Sequence, residues 1–155
     1  MLTAVADRIA GTAFANWAMS SPLAYPVANT AHVLALVLLL GGIGLVDLRV
    51  LGLWRRIPIE PLAAALVPIA ASGVVVLAAS GSVMFAADAK ALAESGTFRL
   101  KLVLILAALA NVALFRWRFG KLVPQQPSPG AKALALLSLL LWTGVAVAGR
   151  MIAYT

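Results

Sequence analysis

Four long apolar runs, each broken off by a charged residue or a loop, dominate the pattern of this chain. Leu23 to Val46 contains no Asp, Glu, Lys or Arg and stops at Asp47. Pro61 to Ala87 is equally free of charge and is closed by Asp88. As a helix this second run is roughly 40 Å long at about 1.5 Å per residue, so it must tilt to fit a hydrocarbon core of ~30 Å. Pro61 suits a first helical turn, whereas Pro68 should bend the interior. A third run, Thr97 to Phe115, carries Arg99 and Lys101 in its first turns, and a fourth starts at Ala133 and continues past Gly149. Residues 1–22 differ. Leu2, Val5, Ile9, Ala13 and Trp17 recur at helical spacing with Asp7, Arg8, Thr12 and Asn16 elsewhere on the wheel. That pattern predicts one amphipathic helix lying in the membrane interface, with Trp17 at headgroup depth. It lacks the basic and solidly apolar regions of a signal peptide. The expected fold is all-α: an interfacial helix over 1–22, then a single membrane domain over 23–155 with spans near 23–46, 61–87, 97–115 and 133–152.

Composition supports that class. Apolar residues make up 63% of the chain and charged residues 11%, and the mean hydropathy is +1.03. Too little polar surface remains to cover a soluble core, which excludes a soluble enzyme and a disordered chain. The net charge of +7 is spread over loops and helix ends rather than gathered on one face, which excludes a nucleic-acid partner. No cysteine is present, so disulfides and thiolate metal sites are excluded too. Connections 47–60 and 116–132 hold Arg49, Arg55, Arg56, Arg116, Arg118, Lys121 and Lys132, against Arg8, Lys90 and Arg99 on the other side. That imbalance puts the two connections in the cytoplasm and both termini outside. There is no internal repeat and no GxxxG motif, although abundant Ala allows close helix packing.

Polar side chains within spans must face protein or water, so they mark inward stripes. Asn29, His32, Leu36, Leu39, Ile43 and Asp47 share one face of the first span. Thr97, Lys101, Leu104, Ala108, Asn111 and Phe115 share one face of the third. Gly73, Ser80, Met84 and Ala87 stack on the second, and Thr143, Ala146, Arg150 and Tyr154 on the fourth. By depth, His32, Lys101, Met84 and Arg150 converge in the outer half of the bundle, with Asn29 on the His32 stripe and Asn111 deeper. Each has a plainer role beside the functional one. His32 could bond a neighbouring helix, Lys101 could snorkel to the interface, Arg150 could anchor there, and Met84 could simply pack. Asp47, Arg49 and Asn111 read as structural polar residues, Asp47 turning toward Arg116 and Arg118. Trp54, Trp117 and Trp142 read as interfacial or packing residues.

Several words of the sequence belong together: SPLAYPVANTAHVLALVLLLGGIGLVDLRVLGL, a Gly-containing second span, GTFRLKLVLILAALANVALF and SLLLWTGVAVAGRMIAYT. In these the chain resembles a bacterial family of small four-span membrane proteins. The family's marks are a His in helix one, a following D-L-R-x-L-G, an F-x-x-K-L start to helix three with a later Asn, and a terminal W-x-G…A-G-R. The resemblance covers nearly the whole chain after residue 20 and carries over His32, Asp47, Arg49, Gly52, Phe98, Lys101, Asn111, Trp142, Gly149 and Arg150. It implies a multi-pass protein of the bacterial inner membrane and attaches no activity. More loosely, the His-bearing first helix and the K-L-V start of helix three resemble the copper-resistance D membrane proteins. They also resemble the membrane protoporphyrinogen oxidases of the HemJ type. This second resemblance implies haem b, a porphyrin or copper near His32 and Lys101. The HemJ type has further histidines, including one late in helix three, where this chain has Asn111.

Three readings follow. In the first, His32 is an axial ligand of haem b or sits against a porphyrin, while Lys101 and Arg150 neutralise propionates. With one histidine in the chain, the sixth position is open or falls to Met84, Met151, Lys101 or a second subunit. In the second, imidazole and thioethers from His32, Met84 and Met151 bind copper as Cu(I), against the repulsion of two inward cations. In the third, the protein binds no cofactor and is a scaffold or accessory subunit braced by its buried polar groups. The bilayer is the expected partner in all three, with a second copy or a larger membrane complex left open.

Overall fold

Each apolar run forms one long helix, and the helices outlast the runs at their ends. The computed structural model describes residues 2–120 and 125–154, and among these it holds seven α-helices and no strand. The order is α1 (Leu2–Ala10), α2 (Ala13–Ser20), α3 (Ala24–Leu51), α4 (Ile59–Ala87), α5 (Ala89–Glu94), α6 (Gly96–Phe119) and α7 (Pro129–Met151), closed by a 3₁₀ turn over Ile152–Tyr154. Four of them, α3, α4, α6 and α7 with its closing turn, are long and apolar enough to cross a bilayer. Lys121 and the side chain of Leu2, both used in the sequence reading, lie outside the described residues.

Local chemistry sets the helix ends. The Ser95 hydroxyl accepts the Phe98 N–H at 3.2 Å and starts α6; Ser128 accepts that of Ala131 at 3.3 Å and starts α7. Arg116 and Arg118, placed in a loop by the sequence reading, therefore belong to the last turn of α6, where cations suit the helix dipole. At the end of α3, Gly52 takes φ +115°, and the N–H groups of Gly52 and Leu53 return to Arg49 and Leu48 at 3.1 Å each. This is a left-handed helix stop that glycine makes without a Cβ penalty. Arg49 then ties down the following turn, donating to the carbonyls of Ile57 at 2.6 Å and Arg55 at 3.1 Å. The D-L-R-x-L-G word thus encodes a helix end and the clamp on its loop.

The N-terminal segment forms two helices rather than one. Thr12 accounts for the break: its hydroxyl donates to the Ile9 carbonyl at 2.7 Å and accepts the Ala15 N–H at 3.2 Å. Small residues face the bundle, with Ala6 against Ala89 and Ala93, and Ala15 and Ala18 against Ala86. Val5, Phe14, Trp17 and Met19 stay exposed, and Phe14 stacks on Trp17 with centroids 5.7 Å apart. Their apolar area faces outward, as an interfacial helix requires.

The long helices form a bundle in which α3 packs along α4 and α7, and α7 packs along α6. Glycine brings α3 and α4 together. A Cβ on Gly73 would lie 2.9 Å from the Ala35 carbonyl oxygen, and one on Gly42 would lie 2.9 Å from that of Leu66. Such close approach of small residues is how helices associate where burial against lipid gains little. The central core joins Leu39, Ala70, Ala108, Trp142 and Val145, and a second cluster joins Val46, Val50, Ala63, Ala131 and Ala135. Large residues such as Val37, Val75, Leu106 and Leu140 point outward, 64–69% exposed. The outside is the apolar surface that a bilayer covers.

One seam differs. Helices α4 and α6 meet at the end joined by α5, where Phe85 stacks on Phe98 at 5.5 Å. Beyond that contact they do not pack along one another, and the bundle opens between them toward the end bearing the loop 52–58.

Candidate functional site

His32 lies half-buried on α3 beside Ser80 and Gly81 of α4. Ser80 sits inside a helix, where its hydroxyl donates back to the Val76 carbonyl at 2.6 Å. A serine has one hydroxyl proton, so in its 2.9 Å contact with His32 Nδ1 it accepts. With the serine as acceptor, the neutral ring would carry its hydrogen on Nδ1 and leave Nε2 unprotonated. This is how proteins orient an imidazole that binds a metal through its other nitrogen. Gly81 makes room for the ring, since a Cβ there would lie 3.4 Å from His32 Cε1.

Lys101, on the first turns of α6, is half-buried and close enough for its charge to act on His32. Its Nζ reaches across to α7, 3.1 Å from where a Cβ on Gly149 would stand. No hydrogen bond or ion pair to Lys101 occurs among the described residues. The A-G-R word thus has a packing reason: any side chain at Gly149 would meet the lysine. The structure brings together His32, Ser80, Gly81, Lys101 and Gly149, from four helices. Met84, one turn beyond Ser80 on α4, is half-buried.

Two further candidates are exposed. Asn29 is exposed on α3. Arg150 is exposed as well; it donates to the Tyr154 hydroxyl at 2.7 Å and lies over that ring at 5.1 Å. The expected inward face of the last helix is rotated accordingly. Its buried residues are Ala131, Ala135, Ser138, Trp142, Val145 and Ala148, while Thr143 and Arg150 face out. Trp142 decides the rotation, because the central core closes around this largest side chain and the small residues a turn away let α3 and α6 approach.

A second polar cluster occupies the opposite half of the bundle, at the loop end. There a cavity of about 340 Å³ opens among all four long helices, lined by Asp47 of α3, Glu60, Ala64 and Pro68 of α4, Asn111 and Arg116 of α6 and Ser138 of α7. Asp47 and Asn111 are buried, at 7% and 6% exposure. Ser138 lines the cavity together with Asp47, and Asn111 Nδ2 donates to the Leu134 carbonyl at 3.1 Å. Asp47 Oδ2, Asn111 Oδ1 and Trp142 Nε1 find no partner among the described residues. Pro68 adds to the polarity, since it has no N–H to give the Ala64 carbonyl. Asp47 turns to the side of Arg116, but no ion pair within 4.0 Å forms; the one such pair among the described residues is the exposed Lys90–Asp7 contact at 3.5 Å.

Among the described residues no three His, Asp or Glu side chains gather as a metal site. No family model, curated protein or solved structure matches the chain.

Proposed function

We propose that this multi-pass membrane protein binds haem b, or a porphyrin, through His32 in the half of the bundle remote from the basic loops. The observation that carries the reading is the 2.9 Å contact of His32 Nδ1 with Ser80 Oγ, whose hydroxyl also reaches the Val76 carbonyl; with the ring hydrogen on Nδ1, Nε2 would be the donor atom. Haem would supply redox chemistry at its iron. The chain's own part would be to hold the group and neutralise its charge: His32 would ligate the iron, Lys101 would pair with a propionate, and Met84 is the one thioether on α4. Arg150, exposed and bonded to Tyr154, could meet a propionate only at the surface. The resemblance to the copper-resistance D and HemJ-type proteins is in keeping with this ligand class, and the basic loop count supports cytoplasmic loops in a bacterial inner membrane.

Titration of the detergent-purified protein with haem, followed by absorption, tests the proposal. The native chain should give a Soret shift that saturates, His32→Ala should abolish it, and Lys101→Ala should weaken retention by about tenfold, the loss of one charge-assisted hydrogen bond. An identical titration for the native chain and His32→Ala would refute it. The scaffold reading also has an observation behind it, because the His32–Ser80 bond by itself joins α3 to α4. On that reading neither haem nor copper binds, and His32→Ala changes stability alone. Copper would give no Soret band and would depend on Met84 or Met151 together with His32.

A further inference from the structure

The cavity at the loop end is independent of His32, and the braces found so far leave its polar groups incompletely used. Three features limit what it can hold. First, its size of about 340 Å³ is that of roughly eleven waters at ~30 Å³ each, within the range of small-ligand pockets. Second, two of its lining residues, Asp47 and Asn111, are more than nine-tenths buried and each keeps an oxygen with no donor. Buried acceptors without donors are costly, so the complementary ligand brings N–H or O–H groups. Third, its charged residues differ in burial rather than in level. Asp47 is buried, whereas Glu60 and Arg116 are exposed. Arg116 is paired with neither acid.

Depth narrows the class further. Helix α3 has 28 residues, about 42 Å, which matches the full bilayer thickness of ~40–45 Å with headgroups. Asp47 is four residues from its end at Leu51, so it lies about 6 Å inside that edge, where headgroups meet hydrocarbon. Arg116 lies about 4–5 Å inside the end of α6 by the same measure. The walls between are apolar, from Val67 and Pro68 on α4 to Val112 and Phe115 on α6, two helices that do not pack along one another. A headgroup in the cavity could therefore keep its tails in the bilayer.

We propose that this cavity binds a zwitterion with a primary ammonium and a phosphate, as in an ethanolamine phospholipid. The ammonium donates to Asp47 and Asn111, and the phosphate meets Arg116. Burial sets the orientation: the ammonium goes to the buried Asp47 carboxylate and the phosphate to the exposed Arg116. A choline headgroup has the same charges but no N–H to donate, and a glycerol headgroup has no cation. The site should tell the three apart.

Native mass spectrometry of the full chain in micelles holding equal amounts of ethanolamine, choline and glycerol phospholipids provides the test. The ethanolamine lipid should be retained about tenfold over the choline lipid, the worth of one charge-assisted hydrogen bond. Asp47→Asn should bring the two to parity. Arg116→Gln, at an exposed position that tolerates change, should lower ethanolamine-lipid occupancy about tenfold and serves if Asp47→Asn does not fold, as judged by helix content. Dissolved phosphoethanolamine separates the sources: displacement of the lipid assigns the site to the free zwitterion, and retention assigns it to the bilayer form. Equal retention of all three lipids by the native chain, or a preference that survives both substitutions, would overturn the proposal.

Discussion

Replacing Gly73 by alanine adds one methyl group where α3 and α4 touch, and the structure gives its cost. The new Cβ would stand 2.9 Å from the Ala35 carbonyl oxygen, 3.0 Å from the Leu39 nitrogen and 3.3 Å from Leu38 Cβ. Two of the three atoms are backbone and cannot rotate away, so the helices must separate. Overpacking of this kind costs about 1–3 kcal/mol, and contacts this rigid argue for the upper half. Alanine also gains about 1 kcal/mol in helix propensity, which partly offsets the clash. Gly41→Ala isolates the contact. Gly41 lies in the same helical pair and has nothing within 4 Å of its would-be Cβ. Both substitutions share the propensity gain, so their difference in unfolding free energy is the packing cost, about 2–3 kcal/mol. Titration with sodium dodecyl sulfate from a mild detergent, followed by circular dichroism, measures it. Equal stability for the two variants would refute the close approach of α3 and α4 at Gly73.

Three further outcomes follow from the loop end and the topology. Gly52→Ala should destabilise the chain by about 1–2 kcal/mol in the same titration, because the position holds φ +115°. Arg49→Ala should leave the helices intact but release the carbonyls of Arg55 and Ile57, speeding tryptic cleavage at the exposed Arg55 and Arg56. Reporter fusions at Gln126 and at the C-terminus should report cytoplasm and exterior respectively, and a cytoplasmic signal from the C-terminal fusion would reverse the assignment.

The four spans were legible because a bilayer penalises charge in any segment that crosses it, and the runs before Asp47 and Asp88 obey that rule. Their ends were less legible. Charges marked the limits in the sequence reading, whereas Ser95, Ser128 and Gly52 set them in the structure, so Arg116 and Arg118 moved from a loop into α6. The N-terminal segment kept helical spacing across Thr12, and periodicity alone cannot show that a threonine hydroxyl is serving both sides of a break. The face of the last helix was read from Thr143 and Arg150 on the rule that polar residues turn inward. Near a helix end that rule weakens, since Arg150 reaches the surface and Tyr154. Trp142, Ser138 and Ala135 were the better guide. His32 and Lys101 were singled out by depth and stripe, but the contact that orients the imidazole depends on which way Ser80 turns. The loop-end cavity was missed because it depends on the splay of α4 from α6, which neither helix's own sequence states. Pro68 and the small polar Ser138 were its visible traces.

The central claim is that the fold presents a neutral imidazole with hydrogen on Nδ1 and a free lone pair on Nε2. His32 is the single histidine of the chain, so ¹⁵N-histidine labelling marks this ring alone. Nitrogen NMR of the labelled protein in lipid, at a pH where the ring is neutral, should show a protonated Nδ1 and an unprotonated Nε2, and addition of haem should perturb Nε2 first. Ser80→Ala should mix the two tautomers. A ring protonated on Nε2 in the native chain, or an Nε2 signal indifferent to haem, would contradict the account.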